Sequence, residues 1–365
     1  MNEPAYDVPN QSEIEVSLFG PGYGESVLIH VGGGKWIIVD SCVHKDLPEP
    51  TPLWYLQSLG VDVAKDVLLV VASHWHDDHF RGMSRILEVC KKAVFVCSSA
   101  MVAEEFVMLG EAFAARELEQ QSGISEFKQI HTILSQQQRT MKLARASSRL
   151  LLLTQANTGL PFDASLWSLS PTDAVAALCI KQLAAAFISE HTQPREISLD
   201  PNELAVVLQL VVGSDSILLG SDLEDGAEHG WKMILTDQTR PQDISFSFKV
   251  AHHGSETGHN DDVWTKMLAK NPFAFLTPFN RGHKKLPSAT DIARINKLTD
   301  RGFVTIDPEA KPVRKTYSKD VERTLKEGNV RLQNILTCRG HIRFRFTPKK
   351  IHTAKVDLFH GAKKL

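Results

Sequence analysis

The chain has 365 residues, of which 42% are hydrophobic and 23% are charged, and its formal net charge is −2. This composition indicates a globular protein with enough apolar material for a large core. The polar, acidic first residues lack the features of a secretory signal, and no run reaches the roughly 18 apolar residues of a membrane span. We therefore expect a cytoplasmic protein without membrane attachment.

The near-neutral total conceals a strong charge asymmetry. Residues 1–239 carry a net charge of −15, whereas residues 240–365 carry +13. A basic C-terminal third favours a polyanionic substrate or partner. The alternative is that the two regions attract each other within one fold.

The five cysteines are scattered, and no two form a CxxC pair. Their odd number and spacing argue against a disulfide framework and against a zinc ribbon. We expect them to be small core residues. They are Cys42, Cys90, Cys97, Cys179 and Cys338.

The first hundred residues predict strands alternating with short helices. The run "ESVLIHVGGGKWIIVDS" predicts two strands joined by a glycine hairpin turn at residues 32–34, and "DVLLVVAS" predicts a buried strand. Apolar residues at helical spacing in "RGMSRILEVCKK" then predict a helix, followed by the strand "AVFVCSS". This β-α-β order indicates an α/β fold.

Residues 99–145 are rich in Ala, Glu, Gln and Leu and contain no proline. They predict a helical insertion of two or three helices. Beyond it we expect a helix at residues 174–190 and a hairpin with its turn at residues 213–216. The alternating residues 329–350 predict a surface hairpin.

One short loop concentrates side chains that bind metals. "VASHWHDDHF" places His74, His76, Asp78 and His79 in an HxHxDH pattern directly after the buried strand. Residues 74 and 76 point the same way in extended chain, so their imidazoles can close on one ion, while Asp78 and His79 lie past the bend and can serve a second. Imidazole and carboxylate suit zinc, manganese or iron. The competing interpretation is a polar surface loop with chance histidines.

The HxHxDH pattern resembles that of the metallo-β-lactamase superfamily. The blocks "FGPGYGESVLIHV", "HWHDDHFRG", "WSLSP", "ILLGSDLE", "KVAHHGS" and "NRGHKKLPSATDIARI" are, in this order, similar to the ComEC-like branch, which includes the nuclease-like domain of a DNA-uptake protein. The resemblance implies a four-layered αββα fold at residues 1–310, with the helical insertion at about 99–145. Residues 311–365 lie outside it and are expected to form a basic C-terminal extension packed on or near this domain.

The resemblance also implies further site residues. It implies Asp40 as an acceptor that orients the histidine loop, Asp222 as the carboxylate bridging two metals, and His252 or His253 as the last metal ligand, the other contacting substrate. His283 is implied as a general acid beside the substrate. Its neighbours Arg281, Lys284 and Lys285 are expected to contact phosphate.

The sequence departs from the family pattern at two points. Arg81 stands where the family often has the first glycine of "DHxGG", and no histidine occupies the usual strand-end position between the loop and Asp222. Asn202 in "PNELAVVL" matches an asparagine that ComEC-like members have instead. We expect Asn202, water or substrate to complete the first metal site.

The resemblance, together with these residues, implies a hydrolase with two divalent metal ions, zinc or manganese rather than magnesium. A hydroxide shared by the metals would attack a phosphodiester, and Asp78, His252 and His283 are the expected catalytic residues. The first hypothesis is a nuclease acting on DNA, with RNA second. The alternatives are a small-molecule phosphodiesterase or esterase, and a partner-dependent subunit, for example of a defence system, that docks a protein through the helical insertion. The sequence does not decide the oligomeric state.

Overall fold

The computed structural model describes residues 5–102, 122–188, 200–226, 229–281, 284–310, 323–324 and 339–365. Two eight-stranded sheets form its centre. The first sheet, sheet A, has the order β17-β16-β1-β2-β3-β4-β5-β6. Its strands are β1 Ile14–Pro21, β2 Ser26–His30, β3 Trp36–Val39, β4 Val67–Ala72, β5 Val94–Ser98, β6 Met141–Ala144, β16 Arg339–Phe346 and β17 Lys355–His360.

The second sheet, sheet B, has the order β18-β15-β12-β11-β10-β9-β8-β7. Its strands are β7 Ser148–Leu153, β8 Ala164–Ser168, β9 Leu208–Val212, β10 Asp215–Leu219, β11 Ser245–Lys249, β12 Leu268–Leu276, β15 Gly302–Val304 and β18 Lys363–Lys364. A separate small hairpin pairs β13 Phe279–Arg281 with β14 Lys284–Leu286.

Helices cover the outer face of each sheet. Those in the first half of the chain are α1 Thr51–Ser58, α2 Val63–Asp66, α3 Asp77–Phe80, α4 Met83–Val89, α5 Ser122–Gln136, α6 Gln155–Thr158 and α7 Asp173–Ile188. Those in the second half are α8 Trp231–Thr236, α9 Asp261–Lys266 and α10 Ala289–Leu298. Within the described residues, no helix combines the length and apolarity that a bilayer span requires.

The hydrophobic core occupies three layers. Between the sheets, Val16, Leu210 and Phe344 belong to one buried cluster. A second cluster joins the outer face of sheet A to α1, α4, α5 and α7, and a third joins sheet B to α8, α9 and α10. The predicted four-layered αββα fold is therefore confirmed.

Central strands of both sheets run parallel, which places their following loops at one edge. β3, β4, β5 and β6 are parallel neighbours in sheet A, as are β10, β11, β12 and β15 in sheet B. The apolar sequences of β3, β4 and β5, which are rich in β-branched residues, suit strands buried on both faces. Polar residues at the carboxyl ends of these strands can therefore meet.

The C-terminal residues enter both sheets. β16 pairs with β1 along its whole length, from Arg339 opposite Pro21 to Phe346 opposite Ile14, and β18 pairs with β15. Residues 311–322 and 325–338 lie outside the described residues. The prediction of a surface hairpin at residues 329–350 is wrong for β16, because seven of its eight residues are buried.

The buried position of β16 depends on ion pairs for its arginines. Arg345 pairs with Asp7 and Glu15, and Arg343 pairs with Asp7 and Asp357. Charged side chains can be buried when they are paired in this way. Part of the positive charge of the C-terminal third is thus neutralised within the fold.

The predicted helical insertion is described in part. Residues 103–121 lie outside the described residues, and α5 is the described helix of the segment. The last residues of the predicted insertion are not helical: Met141–Ala144 form β6, the edge strand of sheet A. Glu126 on α5 accepts hydrogen bonds from the backbone N–H groups of Gly82 and Ser84, at 2.9 Å each. The segment therefore contacts the first turn of α4, directly after the HxHxDH loop.

Candidate metal centre

The HxHxDH loop is compact and buried. β4 ends at Ala72, and α3 begins at Asp77, with His76 as its N-terminal flanking residue. The ring of His74 lies 4.9 Å from that of His76 and 4.3 Å from that of His79, measured between centroids. His74 and His79 have no exposed surface. The fold thus brings three imidazoles together on one side of the loop.

Asp40 holds this loop from behind. Its backbone has a left-handed φ of 61°, which aspartate tolerates better than most residues. Its carboxylate accepts hydrogen bonds from Ser73 N at 2.8 Å and Ser73 Oγ at 2.7 Å, and contacts His79 Nδ1 at 2.9 Å. When the His79 Nδ1–H donates to Asp40, the Nε2 atom of that ring is left free to act as a ligand.

Four side chains from both sheets converge beside the loop. The ligand atoms of Asp78, His79, Asp222 and His253 all lie within 4.8 Å of one another. Asp222 Oδ2 is 3.2 Å from His79 Nε2 and 3.0 Å from His253 Nε2. Asp78 Oδ2 is 3.8 Å and 3.5 Å from the same two nitrogens. We call these four residues the carboxylate–imidazole cluster.

Asp222 and His253 reach the cluster from the carboxyl ends of β10 and β11. Asp222 follows β10 after Gly220 and Ser221, and His253 follows β11 in a left-handed conformation with φ 53°. His253 Nδ1 lies 2.9 Å from the carbonyl oxygen of Thr277, at the end of β12. Donation from Nδ1 to this carbonyl directs Nε2 toward the two aspartates.

The cluster has the electrostatics of a cation site. Burial disfavours charge on His253, but the carboxylates of Asp222, Asp78 and Glu25 together outweigh burial and raise the pKa of His253 to about 10. Asp222, with Asp40 and Asp78, likewise raises the pKa of His79 well above its usual value against the effect of burial. Burial alone would raise the pKa of Asp78 and Asp222, yet the facing His253 holds both below their usual range. Two buried carboxylates therefore require positive charge at this point.

The donor set fits divalent metal ions. His74 Nε2 and His79 Nε2 are buried and have no hydrogen-bond partner among the described residues. Burial, followed by the nearby His79, keeps the pKa of His74 well below its usual value, so this imidazole is neutral and can donate a lone pair. Imidazole nitrogen and carboxylate oxygen are the ligands that zinc and manganese accept.

His252 has surroundings that differ from those of His253. Its Nδ1 lies 2.9 Å from Thr257 Oγ1 and 3.1 Å from Glu224 Oε1, while its Nε2 lies 3.5 Å from Asn202 Nδ2. Asn202 Nδ2 also donates to Glu224 Oε1 at 3.0 Å. Burial lowers the pKa of His252. Of the paired histidines, His253 joins the cluster, whereas His252 and Asn202 lie together beside it.

The basic residues of the predicted substrate site belong to the β13–β14 hairpin. The Phe279 ring, at its start, lies 5.3 Å from the His253 ring. Arg281 and Lys284 are paired across the strands, and Lys285, opposite Asn280, is exposed. His283 lies outside the described residues, as does His191, while His131 is exposed on α5.

The sequence analysis missed three polar residues behind the cluster. Ser73, Glu25 and Lys249 are buried; Ser73 Oγ lies 2.9 Å from His74 Nδ1, and Lys249 contacts both Glu25 and Asp222. For Glu25 and Lys249, the signal in the sequence is a single charged residue within a largely apolar run, "GESVLIH" for Glu25 and "SFSFKVA" for Lys249. Such a residue is buried only with a partner, which the sequence does not identify.

A comparison with protein families supports the superfamily. Residues 19–136 match the family model of the metallo-beta-lactamase superfamily, whose members are generally metal-dependent hydrolases. The match includes Asp40 and the HxHxDH loop, whereas Asp222 and His253 lie beyond it. No curated protein matches the sequence.

Solved structures with some similarity include a HARLDQ-motif mutant metallo-β-lactamase from Cronobacter sakazakii, at 14% identity and a TM-score of 0.30, covering 56% of this chain and 60% of that one. Rm3 metallo-β-lactamase has 14% identity and a TM-score of 0.30, over 70% and 84% of the two chains. Zn²⁺-bound PqqB from Methylobacterium extorquens has 8% identity and a TM-score of 0.27, over 53% and 51%. The chain spans about 60% of the length of the first two structures, both from Cronobacter sakazakii. Likenesses this weak indicate no substrate.

Proposed function

We propose that this chain, whose residues 19–136 match the metallo-β-lactamase superfamily, is a metal-dependent phosphodiester hydrolase of the ComEC-like branch. Its proposed substrate is nucleic acid, with DNA favoured over RNA. The observation that carries the proposal is the contact between the buried carboxylate–imidazole cluster and the basic β13–β14 hairpin, through Phe279 and His253. Phosphate-binding side chains and metal ligands would thus share one site.

The residues divide between two proposed metal positions. Asp78, His79, Asp222 and His253 would hold one ion, and His74 and His76, with Asp222, the other. When bound, such ions supply Lewis acidity toward water and toward the phosphate oxygens. Asp40 and the carbonyl of Thr277 keep the Nε2 atoms of His79 and His253 directed into the site.

The remaining residues would bind the substrate and move its proton. Arg281, Lys284 and Lys285 on the hairpin would contact phosphate oxygens without reading base sequence. The imidazole of His252, kept neutral by burial, would accept a hydrogen bond at Nε2 while Nδ1 donates to Thr257 or Glu224. His283, in the same basic loop, is proposed to protonate the leaving oxygen.

A substrate panel tests this proposal. Metal-stripped protein is supplied with Mn²⁺, Zn²⁺ or Mg²⁺ and incubated with linear DNA, plasmid DNA, RNA, bis-p-nitrophenyl phosphate and a chromogenic β-lactam. We expect cleavage of DNA, fastest with Mn²⁺ or Zn²⁺. The double variant Asp78→Ala/His79→Ala should lose cleavage, while His131→Ala, which changes an exposed histidine on α5, should retain it.

The other outcomes separate the alternatives. Hydrolysis of the small ester without any polymer would support a small-molecule phosphodiesterase and contradict the nuclease proposal. Hydrolysis of the β-lactam alone would contradict both the nuclease proposal and the small-molecule phosphodiesterase alternative. Metal binding without turnover of any substrate would favour a partner-dependent subunit.

A further inference from the structure

Lys249 is a buried lysine directed at the metal site. It is the last residue of β11, and 2% of its surface is exposed. Its Nζ donates to the carbonyl oxygen of Ser221 at 3.0 Å, forms a close ion pair with Glu25 Oε1 and lies 3.5 Å from Asp222 Oδ1. An ammonium group in such a position costs desolvation free energy, which a nearby negative charge must offset.

The two oxygens of Asp222 therefore have different surroundings. Oδ2 faces the imidazole nitrogens of His79 and His253, at 3.2 and 3.0 Å. Oδ1 faces the ammonium group of Lys249. A carboxylate between a fixed cation and a ligand cluster presents only one of its oxygens to the cluster.

Glu25 fixes Lys249 and also belongs to the segment that supports the metal loop. Its backbone N–H donates to the carbonyl oxygen of Asp78 at 2.8 Å. The preceding Gly24 makes this approach feasible, because a Cβ there would lie 2.0 Å from that same oxygen. Glu25 Oε2 lies 4.0 Å from His253 Nδ1. The Glu25 side chain thus contacts Lys249, while the Glu25 backbone forms a hydrogen bond with Asp78.

We propose that Lys249, whose position Glu25 supports, is a positioning residue that keeps Asp222 Oδ1 turned away from the cluster, so that Oδ2 alone would face the two proposed metal positions. This inference rests on the proposed two-metal site. Without the lysine, the Asp222 carboxylate is free to turn and to bind one ion through both oxygens. The second ion would then lose its bridging ligand.

The test uses the full-length protein and measures metal binding rather than turnover. Lys249→Met removes the charge and keeps a side chain of similar length. Lys297→Met, at an exposed position on α10, is the control. Isothermal titration with Mn²⁺ gives the stoichiometry and affinities, and electron paramagnetic resonance reports coupling between two bridged Mn²⁺ ions. We expect Lys249→Met to bind its second Mn²⁺ about 10- to 100-fold more weakly and to lose the coupled signal.

A second variant covers the case in which Lys249→Met does not fold. Glu25→Gln/Lys249→Met removes both charges, so neither buried group is left unpaired. It should fold and still lack the coupled signal. Glu25→Gln alone keeps the ammonium group at Asp222 and should retain two ions and the coupled signal. If the Glu25–Lys249 pair had only a structural role, Glu25→Gln and Lys249→Met would instead have the same effect.

Retention of the coupled Mn²⁺ signal with unchanged affinities in a folded Lys249→Met or Glu25→Gln/Lys249→Met protein would overturn this inference alone. If the unmodified protein binds fewer than two ions, the two-metal site of the proposed function fails, and this inference fails with it.

Discussion

Each buried imidazole of the proposed metal centre is oriented by a contact at its Nδ1 atom. The partner of His79 is the Asp40 carboxylate, that of His253 is the Thr277 carbonyl, and that of His74 is the Ser73 hydroxyl. A partner at Nδ1 fixes the ring and leaves Nε2 for a ligand. The precision of the site thus depends on residues that would not themselves touch metal.

Asp40→Asn tests this dependence. Asparagine also tolerates the left-handed backbone at this position, but it removes the charge that accepts from His79 and Ser73. We expect metal affinity to fall about 10- to 100-fold, measured by competition with a chromophoric chelator. Asp62→Asn, at an exposed position before α2, should have no effect. Equal affinities for Asp40→Asn and the unmodified protein would contradict the assignment.

Arg81 is the exposed basic residue directly after the HxHxDH motif. It follows α3, is exposed, and its guanidinium lies over the Tyr23 ring at 5.0 Å. We expect this group to bind a substrate phosphate, so Arg81→Ala should raise KM about tenfold at nearly unchanged kcat, equivalent to about 1.4 kcal/mol. Arg85→Ala is the matched control, because Arg85 is paired with Glu49 and Glu88. An unchanged KM for Arg81→Ala would exclude this role.

At the scale of elements, the HxHxDH loop and the residues after it are held by two neighbouring elements. α5 contacts them through Glu126, and Phe127 of the same helix stacks against Phe80 at a centroid distance of 6.4 Å. The segment around Gly24 contacts the loop through the hydrogen bond from Glu25 N to the Asp78 carbonyl oxygen. Neither element would supply a metal ligand, but both fix the backbone that does.

Glu126→Ala should destabilise the protein through α4. The carboxylate satisfies two N–H groups at the start of that helix, which otherwise have no intrahelical partner. We expect a loss of about 1–2 kcal/mol in the free energy of unfolding, measured by urea denaturation. Lys128→Ala, exposed on the same helix, should change little. A loss no larger than that of the control would show that the contact is not stabilising.

His30, at the end of β2, makes a pH-dependent contribution to the free energy of unfolding. His30 is buried, with Nδ1 at 2.8 Å from the Glu13 carbonyl oxygen and Nε2 accepting from Gly34 N at 3.1 Å, so its ring must be neutral. Burial lowers its pKa to about 4, from 6.5 in the unfolded chain. The unfolded state therefore binds one more proton between these values, and stability is complete above pH 6.5 and lost as the pH falls toward 4.

This contribution can be measured by urea unfolding at pH 7 and pH 5 in the presence of a chelator. His30 should contribute about 2 kcal/mol to the loss of stability between these conditions. His30→Gln, which cannot be protonated, should lose correspondingly less. The same loss in both proteins would contradict a buried neutral His30.

The elements that sequence predicted best are those whose signals are local. The strand "DVLLVV" and the glycine turn after β2 each depend on a few adjacent residues, and the structure confirms them. The position of β16 depends on pairing with β1, more than 300 residues earlier. No periodicity reveals such a pairing, and the acidic partners of Arg343 and Arg345 cannot be identified from spacing.

For the candidate site, the ligand types were readable but their arrangement was not. The HxHxDH motif and the later Asp222 can be identified from the sequence as candidate metal ligands. The sequence left open whether His252 or His253 joins the cluster, because adjacent residues share one context and only the backbone turn after β11 separates them. Glu25 and Lys249 come from different sheets and meet only after the sheets pack together.

At the scale of the whole molecule, the candidate site forms where the two sheets meet. Sheet A supplies Asp40 and the HxHxDH loop after β3 and β4, and sheet B supplies Asp222 and His253 after β10 and β11. Neither sheet alone carries the complete cluster. The C-terminal strands close an edge of each sheet, so residues near the end of the chain stabilise the fold that assembles the site.

The most direct test of the central claim is a metal-reconstitution titration of DNA cleavage. Metal-stripped protein receives Mn²⁺ in steps, and the cleavage rate of linear DNA is measured against bound metal, beside Asp222→Ala. We predict no cleavage without metal, a rate that rises as the second equivalent binds, and no recovery in Asp222→Ala. Full cleavage in the presence of excess chelator, or undiminished cleavage by a folded Asp222→Ala protein, would contradict the account.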